Sequence, residues 1–399
     1  MNVAYPAFLD DPAELRWGQR VVVGARWILV ASGLLLATIA PTSVTQLRVQ
    51  SILVLALAVC NFGLLAQLIR NPRPDPLIAY AASAADVVVV TVLVVAQGGF
   101  HSDLFVFYFP AVLALSLCFA MPATVLFVGA TVLSYAVVAA MTAPTAADLQ
   151  TLLLRCGALI AVAVCAQVYR TVEAKRRELA ESDVVLVPGA PTDARKRDAI
   201  ADVYFGQTVL VWARWFVIGA AAISVLWSTT DESATQLGGR ILVLVLLLGI
   251  NFYVHGRQLT SKPANRRVLL VASLADITAI SFMVIAWPGA GLGSPFYVLY
   301  IPVLLGLGLV FNPRIAVPVT VVAGAFFTCA VFFNDVSPVA SVEPGKDLIM
   351  RIVVLLAAGG LGTYFWRIQR DRRLRSRRSE PHDRPAALEQ PAPLVSEGV

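Results

Sequence analysis

The sequence predicts an all-α polytopic membrane protein built as two tandem, parallel six-helix bundles, with about twelve transmembrane helices. Three observations predict it: the composition, an internal repeat and a succession of apolar runs. Of the 399 residues, 58% are hydrophobic and 14% are charged, and the mean hydropathy is +0.76. A soluble domain is about 45–50% apolar and about 25% charged. This chain therefore has more apolar surface than a water-soluble fold can bury.

The two halves of the chain repeat each other at a spacing of 188 to 192 residues (214 − 26 = 188; 302 − 110 = 192). The recurring pairs include Arg26 with Arg214, Asn61 with Asn251, Asp86 with Asp276, and Pro110 with Pro302. A repeat of this kind fixes the architecture before any single helix is considered. We therefore expect two copies of one helical unit.

Each copy contains six apolar runs, and a helix needs about 20 residues to cross the hydrocarbon. In the first copy the runs lie at 21–40, 49–69, 77–97, 104–121, 123–141 and 151–169. In the second copy they lie at 208–227, 241–256, 268–287, 296–311, 315–333 and 348–368. Pro122 and Pro313 predict tight turns after the fourth helix of each copy, while Pro110 and Pro302 predict kinks inside it.

The runs divide the chain into four segments. We expect a first bundle at 1–170, a cytoplasmic linker at 171–205, a second bundle at 206–368 and a disordered tail at 369–399. The tail is rich in Arg and then in Pro, Ala and Glu, and this composition cannot build a core. Its arginines could hold anionic lipid headgroups, although a plain stop-transfer cluster explains them as well.

The positions of Lys and Arg predict the orientation. Basic residues cluster before the first run, after the second and eighth runs, in the linker and in the tail. The other side has little beyond Arg48, Arg240 and Lys346. The positive-inside rule places both termini and the linker in the cytoplasm. Because six crossings are an even number, the two copies share one orientation and are parallel repeats.

Polar residues recur inside the apolar runs at similar depths. Counting 1.5 Å per residue from the cytoplasmic side, Arg26 lies roughly 8 Å deep, Asn61 roughly 12 Å and Asp86 roughly 13 Å. The second copy repeats the set with Arg214, Asn251 and Asp276. A buried carboxylate needs a partner, so we expect Asp86 to pair with Arg26, bridged by Asn61, and the second copy to do the same.

Two interpretations of these polar clusters remain open. In the first, each cluster only locks three helices together, and an arginine near the helix end can also snorkel to the headgroups. In the second, each cluster is a proton-responsive or ligand-linked switch, because ionisable groups inside a membrane mark functional sites.

Glycine-rich outer loops at 98–105 and 290–297 precede the fourth helix of each copy. Glycine backbone left open beside aromatic rings can contact the head of an amphipathic ring molecule. A simple reverse turn within an aromatic belt also explains the pattern. Arg155 and Arg351, near the outer ends of the sixth helices, could hold an anionic or carbonyl group entering from outside, or snorkel to the outer headgroups.

Taken together, these residues carry a family resemblance. The Arg-Trp start of helix one, the Asn of helix two, the Asp of helix three and the Gly-Gly-x-x-Ser-Pro-Phe-like loop resemble the six-helix membrane input domain of bacterial sensor histidine kinases, especially the redox-sensing Reg type. The resemblance implies an inner-membrane location and makes quinone a candidate ligand of the outer loops. The matching positions are Gly98, Gly99, Ser102 and Phe105 in the first copy, and Gly291, Ser294, Pro295 and Phe296 in the second.

The chain shows no catalytic or metal-binding pattern. A kinase of that family continues into a phosphoacceptor helix and an ATP-binding domain, whereas here only the short segments 171–205 and 369–399 follow the sixth helices. His382 lies between Pro381 and Pro385, and prolines oppose the helix that a phosphoacceptor needs. No Gly-x-x-x-x-Gly-Lys-Ser phosphate loop occurs. We therefore expect a protein that is not an enzyme.

The sequence thus predicts a non-catalytic, sensor-like membrane protein. It would bind a small amphipathic ligand, with quinone and lipid as candidates, or a membrane partner, and relay a signal to cytoplasmic components. The expected partners are membrane lipids and a separate cytoplasmic kinase or regulator. No nucleic acid is expected, because the basic residues flank apolar runs.

Two other function classes remain open. A secondary transporter of a small solute has the same layout of two parallel six-helix halves, and a structural subunit of a membrane complex also fits. A transporter predicts one cavity between the halves. A duplicated input module predicts two self-contained bundles, each with its own polar cluster.

Overall fold

The computed structural model of the protein describes residues 12–39, 44–70, 76–141, 146–181, 194–226, 234–259, 265–286, 291–334 and 342–379. Within these ranges the regular structure is helical throughout, and twelve α-helices follow one another. Nine of the twelve described helices are long and apolar enough to span a bilayer. The prediction of an all-α, multi-pass membrane protein is confirmed.

Each copy contributes six helices. The first copy has α1 (Pro12–Ile39), α2 (Val44–Arg70), α3 (Pro76–Ala96), α4 (Tyr108–Cys118), α5 (Met121–Met141) and α6 (Ala146–Glu181). The second copy has α7 (Ala194–Leu226), α8 (Ala234–Leu259), α9 (Arg266–Ala286), α10 (Tyr300–Val310), α11 (Pro313–Asn334) and α12 (Val342–Ser379). We call the side at which α2 and α8 end the basic side, and the side of the loops before α4 and α10 the loop side.

The fourth helix of each copy is shorter than the sequence predicts. α4 and α10 have 11 residues each and follow 3₁₀ turns at Asp103–Phe107 and Pro295–Leu299. Pro110 and Pro302 are each the third residue of the α-helix, just after the 3₁₀ turn gives way to it, a first-turn position in which proline is tolerated. Nearly every side chain of α4 and α10 is buried, so these two helices form the centre of the protein.

The two copies share one core and are not self-contained bundles. α6 packs on α7, α1 packs on α12, and α10 contacts α6 as well as α7 and α12. Aromatic contacts join the copies, among them Phe105 with Tyr297, whose ring centroids are 6.3 Å apart, and Tyr169 with Phe365 at 5.1 Å. A small apolar cavity of about 30 Å³ also lies between the copies, lined by α1, α4, α10 and α12.

The end of the linker, where α7 begins, and the tail are more helical than the sequence predicts. α6 continues to Glu181 and α7 begins at Ala194, so the segment 182–193 lies outside the described residues. The predicted disordered tail is wrong over 369–379, because α12 continues to Ser379. Arginine is a good helix former, which explains the extension. Residues 380–399 lie outside the described part of the chain.

A glycine pair brings two central helices into backbone contact. A Cβ atom added at Gly362 of α12 would lie 2.9 Å from the Cα atom of Gly308 of α10, and one added at Gly308 would lie 2.7 Å from the Cα atom of Gly362. Small residues allow such close crossings between membrane helices. Gly360, two residues away on α12, has no neighbouring atom within 4 Å of its added Cβ.

Gly362→Ala is expected to lower the free energy of unfolding by about 1–3 kcal/mol, because the new methyl group overpacks the helix crossing. Gly360→Ala is the matched control and should leave stability unchanged or raise it slightly, since Ala is a better helix former than Gly. Thermal unfolding of the detergent-solubilised variants measures both effects. Equal melting temperatures for the two variants would contradict the close crossing.

Candidate functional site

Each copy contains a buried ion pair between its first and third helices. Arg26 Nε donates to Asp86 Oδ2 at 2.8 Å, and Arg214 Nε donates to Asp276 Oδ2 at 2.7 Å. All four side chains are buried, with no more than 6% of any of them exposed. The predicted pairing within each copy is therefore confirmed, and none of the four side chains faces lipid.

Arg26 binds two groups on one face of the third helix, the carboxylate of Asp86 and a backbone carbonyl. Arg26 also donates through Nη2 to the carbonyl oxygen of Ala82, one turn before Asp86 on α3. Residues four apart share a helix face, so a single guanidinium on α1 can donate to both Ala82 and Asp86 of α3. Such a pair holds α1 against α3, and removing one partner would leave an uncompensated buried charge.

The predicted bridging role of the helix-two asparagine is wrong. Asn61 is fully buried, and its Nδ2 donates at 3.1 Å to the carbonyl oxygen of Val23, three residues before Arg26 on α1. The amide thus binds the backbone of α1 about one turn away from the ion pair. Asn61 fastens α2 to α1, and the ion pair fastens α1 to α3.

The second copy leaves more of its polar atoms without partners. Nη1 and Nη2 of Arg214 have no hydrogen-bond partner among the described residues, and neither does either amide atom of the fully buried Asn251. In the first copy the corresponding Arg26 Nη2 and Asn61 Nδ2 are both bonded. The two clusters share the ion pair but differ in how completely the surrounding donors are satisfied.

Arg155 closes the loop of the first copy from within the protein. Its Nη1 donates at 2.7 Å both to the carbonyl oxygen of Phe100 and to the hydroxyl of Tyr135, and the guanidinium lies 3.9 Å from the ring centroid of Phe105. Arg155 is 7% exposed. It therefore neither snorkels to headgroups nor points to the outside. The carbonyl that Arg155 holds belongs to the chain's own loop.

The second copy repeats this arrangement, a buried arginine that binds a loop carbonyl and an aromatic ring, which we call a loop clamp. Arg351 donates through Nη1 to the carbonyl oxygen of Leu292, and its guanidinium lies 4.3 Å from the ring centroid of Tyr297. Because Tyr297 also contacts Phe105 of the first copy, the two clamps adjoin each other on the loop side. A guanidinium over an aromatic face is attracted by the ring electrons, and burial strengthens this attraction.

The glycines and serines of the loops shape tight turns. Gly98, Gly99 and Gly291 have positive φ angles of 102°, 67° and 75°, a region that favours glycine. The hydroxyl of Ser102 accepts from the amide of Leu104, and that of Ser294 accepts from the amide of Phe296. These are cap bonds of the 3₁₀ turns that follow, and Pro295 begins the second of these turns.

The aromatic rings of the loops are not open to a ligand. Phe105 and Phe296 are buried to 0% and 1% exposure, so the expected aromatic contact with a ring molecule is not available at these positions. Among the loop residues whose burial the structure describes, Gly98, His101 and Gly293 are exposed.

Two hydroxyl pairs near the clamps were missed in the sequence. Thr91 bonds Tyr108 at 2.7 Å in the first copy, and Ser281 bonds Tyr300 at 2.6 Å in the second. The repeat itself was the signal that could have found them, since a small hydroxyl residue recurs after 190 residues (281 − 91) and the tyrosine after 192 (300 − 108). Tyr135 could not have been found in this way, because its counterpart in the second copy is Phe327.

No family model, curated protein or solved structure matches the chain. Over the described ranges, no three His, Cys, Asp or Glu side chains are grouped so that they could hold a metal ion.

Asp86→Leu is expected to lower the free energy of unfolding by about 3–5 kcal/mol, because Arg26 is left buried and unpaired. The double variant Arg26→Met with Asp86→Leu should recover most of that loss, since it removes both charges and keeps the volume. Thermal and urea unfolding of the purified protein measure both variants. A double variant no more stable than Asp86→Leu alone would contradict the ion-pair argument.

Tyr135→Phe is expected to loosen the first loop by about 1 kcal/mol, the usual contribution of one hydrogen bond. Hydrogen exchange at Gly99 to Ser102 should then become about fivefold faster, while exchange at the corresponding second loop stays unchanged. Tyr253→Phe, on an exposed tyrosine of α8, is the control. The clamp is refuted if both substitutions alter loop exchange equally.

Proposed function

We propose that this multi-pass membrane protein is a non-catalytic, sensor-like input protein. Its outer loops respond to a small amphipathic ligand, a quinone or a lipid, or to a membrane partner. α6 and α12 relay the response to cytoplasmic components. The observation that carries the proposal is that the two arginines holding the loops, Arg155 and Arg351, lie on helices that continue unbroken to Glu181 and Ser379.

The helices are long enough for this role. At 1.5 Å per residue, the stretch from Arg155 to Glu181 measures about 39 Å, and that from Arg351 to Ser379 about 42 Å. Both exceed the hydrocarbon thickness of about 30 Å. A rigid helix of this length couples a displacement at the loop side to the basic side.

The ligand acts only by binding two loop states with different affinity. The exposed backbone of Gly98 and Gly293 and the exposed ring of His101 provide the contacts at the loop edge. A ring or headgroup with a hydrogen-bonding carbonyl fits these donors, and this is the chemistry of a quinone or a lipid ester. Binding there shifts the carbonyl groups of Phe100 and Leu292, and with them the arginines that hold them.

The location and partners belong to the same proposal. The clusters of arginine and lysine on the basic side support a cytoplasmic position for both termini and the linker, in an inner membrane. The resemblance to kinase input domains supports a separate cytoplasmic kinase or regulator as the receiver. α6 and α12 would present their basic ends to it.

A transporter receives less support from the geometry. The cavity between the two copies is about the size of one water molecule and is lined by apolar side chains apart from Ser32. A small polar solute needs several convergent polar groups. The shared core of the two copies departs from the two self-contained bundles expected of a duplicated input module, so the proposed sensor responds as one unit.

The test is hydrogen exchange of the protein in nanodiscs with and without a short-chain ubiquinone. Bound quinone should slow exchange at both outer loops and change it at least threefold at the basic ends of α6 and α12. Arg155→Met and Arg351→Met should abolish the change at the helix ends. Arg48→Met, which removes an exposed charge on the loop side, is the matched control and should behave like the native protein.

Native mass spectrometry of the gently extracted protein identifies the bound amphipathic molecule and any kinase or regulator that copurifies. The sensing proposal is overturned if neither quinone nor copurifying lipid alters exchange at the helix ends. Solute counterflow in proteoliposomes would establish the transporter in its place.

A further inference from the structure

An apolar groove opens toward the bilayer between α8 and α9. Its volume is about 450 Å³, and it lies between the face of α8 around Gly249 and Tyr253 and the face of α9 around Val271. Tyr253 and Val271 are 54% and 65% exposed. The volume falls within the range of about 300–1,000 Å³ that is typical of small-molecule sites.

The groove lies in the half of the membrane on the basic side, since Gly249 is about 15 Å from the end of α8 at Leu259 at 1.5 Å per residue, half of a hydrocarbon core of about 30 Å. Its lining on α8 runs from Gly249 to Val254, about 8 Å. The apolar lining therefore suits a segment of one acyl chain whose headgroup lies on the basic side.

A cation stands at the mouth of the groove. Arg267, in the first turn of α9, is exposed and lines the groove at its basic end. The neighbouring Arg266 is directed elsewhere, with its guanidinium 5.7 Å from the ring centroid of Phe311. A basic pocket between membrane helices on this side has the charge that attracts an anionic headgroup.

The first copy lacks both elements of this site. At a spacing of 190 residues, Gly249 corresponds to Val59 and Arg267 corresponds to Leu77. Val59 and Leu77 are both largely exposed, so they present an apolar surface with no cation. A Cβ added at Gly249 has no atom within 4 Å, so the glycine opens the groove and no packing contact requires it.

We propose that the α8–α9 groove is a binding site for an anionic glycerophospholipid, with one acyl chain in the groove and the phosphate on Arg267. The site lies on the basic side and uses no residue of the outer loops. It is therefore independent of the proposed sensing function. The two copies thus differ in function, and only the second recruits a charged lipid.

The experiment is native mass spectrometry of the full chain titrated with phosphatidylglycerol or phosphatidylcholine. Phosphatidylglycerol should bind at least fivefold more tightly. Arg267→Leu and Gly249→Val, which install the first-copy residues, should each weaken its binding at least threefold. Arg70→Leu removes the same charge from the basic side of the first copy, away from the groove, and is the matched control.

A gain-of-function variant keeps the test decisive if Arg267→Leu fails to fold. Val59→Gly combined with Leu77→Arg should add a second phosphatidylglycerol site to the first copy. The proposal is overturned if phosphatidylcholine binds as tightly, if Arg70→Leu weakens binding as much as Arg267→Leu, or if the first-copy double variant gains no lipid.

Discussion

The structure depends on satisfying guanidinium groups where no water is present. A charge in the hydrocarbon is costly unless the protein itself supplies its partners. Arg26 and Arg214 have carboxylates, whereas Arg155 and Arg351 have loop carbonyls and aromatic rings. Arg240 is also satisfied by a backbone carbonyl, since its Nη2 donates at 3.0 Å to the carbonyl oxygen of Ala286.

These partners determine which helices must be neighbours. The ion pairs hold the first helix of each copy to the third near the basic side, and the clamps hold the sixth helix to the loop before the fourth. Each copy is therefore tied at both ends. Between these ties, α4 and α10 carry no charge and pack largely through apolar contacts. The hydroxyls of Tyr108 and Tyr300 add one hydrogen bond each at the start of these helices.

The fold and the ion pairs could be predicted from the sequence because their signals are long or duplicated. Apolar runs indicate helices, and matching charges at matching depths indicate that Arg26 meets Asp86. The geometry around Asn61 could not be predicted. A shift of one helical turn decides whether its amide reaches the ion pair or the carbonyl of Val23, and no sequence pattern fixes that shift.

The packing of the copies against each other was also beyond the sequence. Each apolar run predicts a buried or lipid-facing helix equally well, so nothing in the runs shows that α6 packs on α7 or that α1 packs on α12. The clamps were predicted in part. The sequence marks Arg155 and Arg351 as charges in apolar helices, but it predicts that they bind a group entering from outside the protein. Their true partners could not be predicted, because the burial of the loop and of Phe105 follows from the tertiary fold alone.

The contact between Gly308 and Gly362 has a mechanical consequence. Neither residue has a side chain, so the backbones of α10 and α12 meet directly at this point. The arm from Gly362 to Arg351 is about 17 Å long, and the arm from Gly362 to Ser379 is about 26 Å. A tilt of α12 about this crossing would move its two ends in opposite directions, and the Ser379 end about one and a half times as far as the Arg351 end.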